Sequence, residues 1–187
     1  MSSWIQKGMA TAVMALTLLL GACTGIPERV EPVRPFELSG YLGAWYEVAR
    51  LDHSFERGLT QVTATYSLRD DGGVKVINRG FDAAKNEWRE AEGKAYFVDD
   101  PQTGYLKVSF FGPFYGSYIV AELLKDANGQ ANISLVSGPD TSYLWILART
   151  PNPAAEQIRQ LVNKASELGF DTHKLIWIDP ANQPADL

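Results

Sequence analysis

The chain has 187 residues and a mass of 20.6 kDa, 45% of it hydrophobic, enough for one buried core and short for two at roughly 100–200 residues per domain. Charged residues at 21% and aromatics at 11%, with Gly and Pro scattered, exclude collagen-like, disulfide-scaffold and disordered classes. Seventeen basic residues against 22 acidic ones give a net charge of −5 and no Lys or Arg run, so nucleic acid is not an expected partner.

Lys7 precedes an uncharged stretch, residues 9–20 (MATAVMALTLLL). It falls short of the ~20 residues that a membrane-spanning helix needs, so it reads as the apolar region of a signal peptide over residues 1–22. Leu20-Gly21-Ala22-Cys23 then resembles the lipobox of bacterial lipoproteins, which implies cleavage before Cys23 and acylation of that cysteine. Cys23 is the only cysteine, so an intramolecular disulfide is impossible and the fold must stand on packing. Loss of residues 1–22 would remove Lys7 and no acid, leaving 16 bases against 22 acids. A body of that charge stays at a membrane only through its anchor, and the diacylation plus N-acylation that the lipobox resemblance implies exceeds the two chains that stable attachment requires. Residues 23–36, with Pro27, Pro32 and Pro35, read as a tether with no core of its own. Thr24 stands where an Asp would mark inner-membrane retention in enterobacterial lipoproteins, which implies outer-membrane sorting and a body facing the periplasm.

From residue 43 to 149 the chain breaks into short runs rich in Val, Ile, Thr and aromatics: 44–51, 59–69, 74–80, 88–98, 105–111, 116–124, 132–137 and 143–149. In the second run Val62, Ala64, Tyr66 and Leu68 share one face and Gln61, Thr63, Thr65 and Ser67 the other, the period of a strand. Separators such as Asp70-Asp71-Gly72-Gly73, Asn128-Gly129 and Gly138-Pro139-Asp140 are too short for parallel crossovers, so neighbours should pair antiparallel. Eight such strands either expose two edges or close on themselves, and closure removes the edges. The expected fold is all-β: an eight-stranded up-and-down antiparallel barrel, preferred over a two-sheet sandwich because the connections are short.

The period then changes. Asn152-Pro153 fits the start of a helix over 153–168, with Ile158, Leu161, Val162, Ala165 and Leu168 on one stripe and Gly169 just past its end. One apolar stripe predicts a helix packed outside the barrel. Leu175-Ile176-Trp177-Ile178 reads as a last strand on the barrel's edge, and residues 180–187 as a loose polar tail.

Gly43-Ala44-Trp45-Tyr46-Glu47 at the start of the first strand resembles the lipocalin Gly-x-Trp signature, and residues 41–51 (YLGAWYEVARL) are similar to its bacterial branch. Gly138-Pro139-Asp140 before the last barrel strand and Arg149 at its end keep the lipocalin order of barrel, then helix, over residues 37–179. The Gly-Pro-Asp is a bacterial-type version of the motif that reads Thr-Asp-Tyr in animal lipocalins. The resemblance to bacterial outer-membrane lipocalins implies that Trp45 closes the base of the barrel with Arg149 packed across it, so Gly43, Trp45 and Arg149 are structural.

With Trp45 inward, strand parity selects Ala64, Tyr66, Val76, Asn78, Val108, Phe110, Tyr143 and Trp145 as the cavity lining. This apolar surface with a few polar handles suits an acyl chain, so a fatty acid or lysophospholipid is the expected ligand, its head near the mouth against Arg50, Arg57 or Arg79. Phe110-Phe111-Gly112-Pro113-Phe114-Tyr115-Gly116 puts four aromatics at a hairpin corner, to be covered by the cavity mouth, the membrane or a second subunit in a homodimer.

Nothing asks for catalysis. His53 and His173 lie far apart and read as surface histidines, without the spacing of a zinc or haem site. The serines sit in no nucleophile elbow, and no Gly-rich phosphate loop is present. No catalytic residue, metal or cofactor is therefore expected. The two function classes that remain are a lipid-anchored carrier and a structural lipoprotein whose filled barrel serves a protein partner.

Overall fold

The computed structural model describes residues 24–185; Cys23 and residues 1–22, read above as a signal peptide, lie outside them. The strands are β1 (Gly43–Arg50), β2 (Leu59–Leu68), β3 (Val74–Asp82), β4 (Glu87–Phe97), β5 (Tyr105–Phe111), β6 (Phe114–Lys125), β7 (Ala131–Ser137) and β8 (Leu144–Ala148). A helical turn α1 (Leu38–Tyr41) leads into them, and α2 (Ala155–Glu167) and a short β9 (Ile176–Trp177) follow. From β1 to β8 each strand pairs antiparallel with its neighbour in sequence, and β1 pairs with both β8 and β2, which closes the barrel. The sandwich alternative is thereby excluded.

β1 achieves closure by changing partners along its length. Its first half faces β2, from Gly43 opposite Tyr66 to Tyr46 opposite Thr63. Its last residues bind β9 instead, Ala49 opposite Trp177 and Arg50 opposite Ile176, so the backbone groups that β2 leaves are paired. A bulge between Glu47 and Ala49 inserts one residue against β8. Val48 and Ala49 therefore both join the outer apolar cluster, and Arg50 turns inward with Glu47.

Turn chemistry sets the register. The Asp71 carboxylate accepts from the Gly73 amide, the Arg69 guanidinium and the Tyr96 hydroxyl at the β2–β3 hairpin. Asp126 accepts from the amides of Asn128 and Gln130 at the β6–β7 hairpin.

Apolar side chains form two layers. The inner cluster fills the barrel around Trp45, Tyr66, Val76, Leu106, Val120 and Leu147. The outer one lies between the wall (Val48, Ile119, Ile133, Leu135, Ile146) and Ile158, Leu161, Val162 and Ala165 of α2. Alternate residues on β7 and β8 serve the two layers, so these strands are buried on both faces.

Three expectations are corrected. Residues 24–36 are docked rather than a loose tether: the Thr24 carbonyl accepts from the Tyr105 hydroxyl, the Val33 amide donates to the Val120 carbonyl at 2.8 Å, and the Phe36 amide to that of Gln102 at 2.7 Å. Val30 and Phe36 are buried, because the prolines extend the strap over apolar wall instead of solvating it. The helix begins at Ala155 with Ala154 as its cap, since Ala154 is extended at φ −61° and ψ 132°, so Asn152-Pro153 precede the helix and do not start it. The tail is ordered at its beginning, where Pro180–Asn182 forms a helical turn and the Asn182 side-chain Nδ2 donates to the Pro151 carbonyl at 2.8 Å.

Candidate functional site

The base is sealed by one interlocked unit. Trp45 is fully buried and its Nε1 donates to the Tyr41 carbonyl at 2.7 Å. The Arg149 guanidinium carbon lies 3.9 Å from the centre of the Trp45 ring. The same fork donates to the carbonyls of Gly40 and Leu42 at the end of α1 and of Ala44 in β1 at 2.8 to 2.9 Å. Gly43 turns the chain from α1 into β1 at φ +95°, a conformation that L side chains rarely adopt.

Above the base lies a chain of hydroxyls. Tyr118 is 2.7 Å from the Tyr41 hydroxyl and 2.8 Å from that of Tyr66, and Tyr41 reaches Ser134 Oγ at 3.3 Å. Burial pushes the Tyr41 phenol up to about 12 and those of Tyr66 and Tyr118 well above their ordinary value, so all three are neutral. Beside them is an internal cavity of about 20 Å³, lined by Phe36, Leu38, Tyr41, Tyr66, Val74, Val76, Ala95, Leu106, Val108 and Tyr118.

The mouth, formed by connections 51–58, 83–86, 112–113 and 138–143, carries charge instead. Glu47, Arg50 and Glu56 are all buried. Arg50 donates to Glu47 at 2.6 Å and to the Glu56 carbonyl at 2.8 Å, while Trp145 Nε1 donates to the Glu56 carboxylate at 2.9 Å. Burial raises both carboxyls above their ordinary range, and the mutual repulsion of the pair adds to it at Glu47. His53 stacks on Phe55, Tyr143 and Trp145, with ring centres 4.6 to 5.3 Å apart. Desolvation and then the Arg50 charge bring its imidazole down to about 4.

Of the residues selected from parity, Ala64, Tyr66, Val76, Val108, Phe110 and Trp145 lie in or against the inner cluster, and Tyr66, Val76 and Val108 line the cavity. Asn78 is half-buried opposite Ala64, on the same face of β3 as Val76. Tyr143 lies in the turn before β8, in the aromatic stack at the mouth. Gly93 makes room for Phe110, since a Cβ there would meet that ring at 2.8 Å.

The reading of His53 as a surface histidine is corrected: only 4% of it is exposed, because connection 51–58 folds it onto Trp145. The arginines expected to meet an anionic head are otherwise engaged. Arg50 is held as described, Arg57 binds Asp52 at the surface, and Arg79 lies 4.0 Å above the Trp88 ring. Sequence reasoning missed Phe36, Leu38 and Tyr41, which reach the interior from outside the strands, and Glu47 and Glu56, which look like ordinary surface acids. The only trace of Glu47 was its place two residues after Trp45, the spacing of one strand face. The rim exposes Phe55, Trp88, Phe111 and Phe114, the last two by 78% and 70%.

Comparison with known proteins agrees with this architecture. The lipocalin-like domain family matches residues 36–180. The outer membrane lipoprotein Blc of Vibrio cholerae is 56% identical over 169 residues, covering 90% of this chain and 97% of that protein. The protein of the same name from Escherichia coli K12 is 48% identical over 91% of this chain and 94% of its own length. Among solved structures, insecticyanin from the tobacco hornworm superposes with a TM-score of 0.64 at 23% identity, covering 83% of this chain and 86% of that one. A closed eight-stranded barrel with one outer helix, sealed below by Trp45 and Arg149, places this chain in the lipocalin-like domain family.

Proposed function

We propose that this chain is an outer-membrane lipoprotein, anchored through acylated Cys23 and facing the periplasm, that stores or carries a fatty acid or lysophospholipid-like amphiphile in the bacterial envelope. The observation that carries this reading is the inner face of the barrel, apolar over most of its length and sealed at the base, with polar groups at the tyrosine chain, at Asn78 and at the mouth. Each acyl CH₂ buried there contributes about 0.8 kcal/mol. The relatives, both outer membrane lipoproteins, and the lipobox resemblance support the anchor and its membrane.

A second reading is favoured by one observation. The internal cavity of about 20 Å³ has room for roughly one water, against the ~300–1,000 Å³ of an ordinary ligand pocket. An acyl chain therefore enters only as side chains such as Tyr118 and Phe110 move aside. If they do not, the barrel is a filled scaffold whose partner is another envelope protein.

Titration of residues 24–187, which contain every described element of the fold, with a fluorescent fatty acid and a lysophospholipid competitor separates the two. Saturable one-to-one binding at about micromolar or tighter, with quenching of the Trp signal, supports the carrier. A folded protein that binds neither supports the scaffold. For the anchor, Cys23→Ser is expected to move the protein from the membrane fraction to the soluble one without changing its unfolding temperature. Retention in the membrane would overturn acylation as the means of attachment.

A further inference from the structure

The mouth cluster holds two buried carboxylates, Glu47 and Glu56, and one buried guanidinium, Arg50. Two of its atoms are buried without a hydrogen-bond partner, Arg50 Nε and His53 Nε2. They ask for opposite things. His53 is bonded to the backbone of Leu144, and since Nε2 is the unpaired atom, Nδ1 makes that bond as the donor. In a neutral imidazole Nε2 is then a lone-pair acceptor that lacks a donor. Arg50 Nε is a donor that lacks an acceptor, because the two terminal nitrogens of the same guanidinium are spent on Glu47 and on the carbonyls of Glu56 and Leu59. Aromatic faces stand at the same place: His53 lies against Phe55 and Tyr143, 4.6 Å from the ring of the Trp145 that binds Glu56.

Surplus carboxylate, an orphan acceptor and aromatic faces are together the recognition chemistry of an ammonium group, which brings positive charge and N–H donors. The orphan Arg50 donor beside them suits an oxygen of the same head. We infer that the mouth of this barrel selects amphiphiles whose head carries an ammonium group, bound by Glu47, Glu56 and His53, with Arg50 Nε donating to a phosphate or ester oxygen. This rests on the reading that the barrel holds a lipid. A head that carries a carboxylate and no ammonium is disfavoured at the same place, since it meets two carboxylates and finds only Arg50 Nε open to it. The raised carboxyls fit this reading: lacking a second cation they retain a proton, which an incoming ammonium displaces. Connection 51–58 covers the cluster with Phe55 half exposed, so the head is admitted as that connection moves outward.

The test uses residues 24–187 and two lysophospholipids of one acyl chain, lysophosphatidylethanolamine with an ammonium and lysophosphatidylglycerol without one, each displacing the same fluorescent fatty acid. The expected result is at least about tenfold tighter binding of the ethanolamine lipid, with heat that depends on the ionisation enthalpy of the buffer because a proton is released. Glu56→Gln is expected to narrow that ratio to within about twofold. Hexadecylamine against palmitate on the unaltered protein gives the same comparison without relying on a variant that fails to fold. Equal affinities, or tighter binding of the glycerol lipid, overturn this inference and leave the carrier reading standing. Binding of neither lipid overturns the carrier reading, and this inference with it.

Discussion

At the residue scale, Arg149 illustrates why a surface-sounding residue type becomes structural. Its guanidinium lies over one ring and donates to three carbonyls around the α1–β1 turn. Arg149→Ala is expected to lower stability by about 2–4 kcal/mol, from the lost face contact and the unpaired carbonyls. Arg149→Lys should cost nearly as much, since an ammonium lacks the planar fork. Urea unfolding followed by Trp fluorescence checks both, and a loss under about 0.5 kcal/mol for the alanine variant would remove Arg149 from the base seal. The mouth cluster makes a second prediction. Glu47 and Glu56 keep their protons in the fold at a pH where the unfolded chain has lost them, so they contribute stability that is lost as pH rises above 4.5. His53 is neutral in the fold down to about 4 and protonates near 6.5 when unfolded, so its contribution is lost as pH falls below 6.5. Between 4.5 and 6.5 the two oppose each other. Above 6.5 the carboxyl limb acts alone, and stability should decline toward the pH where Glu47 ionises, by at most about 1.4 kcal/mol per pH unit for one proton. Glu47→Gln should flatten that limb, and an unchanged slope would show that Glu47 does not titrate there.

At the scale of elements, the strap over residues 24–36 behaves as part of the barrel. Phe36 is buried against Tyr41 and Phe97, with ring centres 5.3 and 6.2 Å away, and it lines the cavity. Phe36→Ala is expected to cost about 3–5 kcal/mol, as large-to-small changes in a core do. A thermal or urea midpoint that hardly moves would make the strap dispensable. The β5–β6 hairpin is the opposite case, because Phe111 and Phe114 project into solvent and contribute little to the fold. Replacing both by Ala should leave stability within about 0.5 kcal/mol. The same double variant is expected to reduce self-association or retention on lipid vesicles, measured by sedimentation and flotation. If mass, ligand affinity and vesicle binding all stay unchanged, the hairpin has no role at the rim.

At the scale of the whole molecule, the barrel separates its tasks by height. The base is locked by an arginine and a tryptophan, the middle is apolar around neutral tyrosines, and the mouth concentrates the buried charge. The outer helix covers strands that are apolar on both faces, so the wall behind the cavity is buried from both sides, while three of the four connections at the mouth are at most six residues long. With residues 24–36 docked along the wall, an anchor at Cys23 would hold the barrel close to its membrane instead of at the end of a loose linker. For the proposed carrier, a lipid leaving that membrane would then cross only a short distance through water.

The alternation of Val62, Ala64 and Tyr66, the short turns and the shift to helical spacing after Arg149 determined the barrel and its outer helix from the sequence alone, since side-chain period and loop length are local properties. The Gly-x-Trp at residues 43–45 and the distant Arg149 likewise marked the base before any contact was visible. The same parity placed Tyr66, Val76 and Val108 on the inside. It did not find the mouth cluster, because the bulge at Glu47 shifts the period by one and brings Arg50 inward, which no alternation rule anticipates. Nor did it find Glu56 and His53, whose burial depends on connection 51–58 folding onto Trp145 from another strand. Tertiary structure alone decided which charges are buried and which arginines are already paired, because desolvation and pairing depend on neighbours far away in the chain.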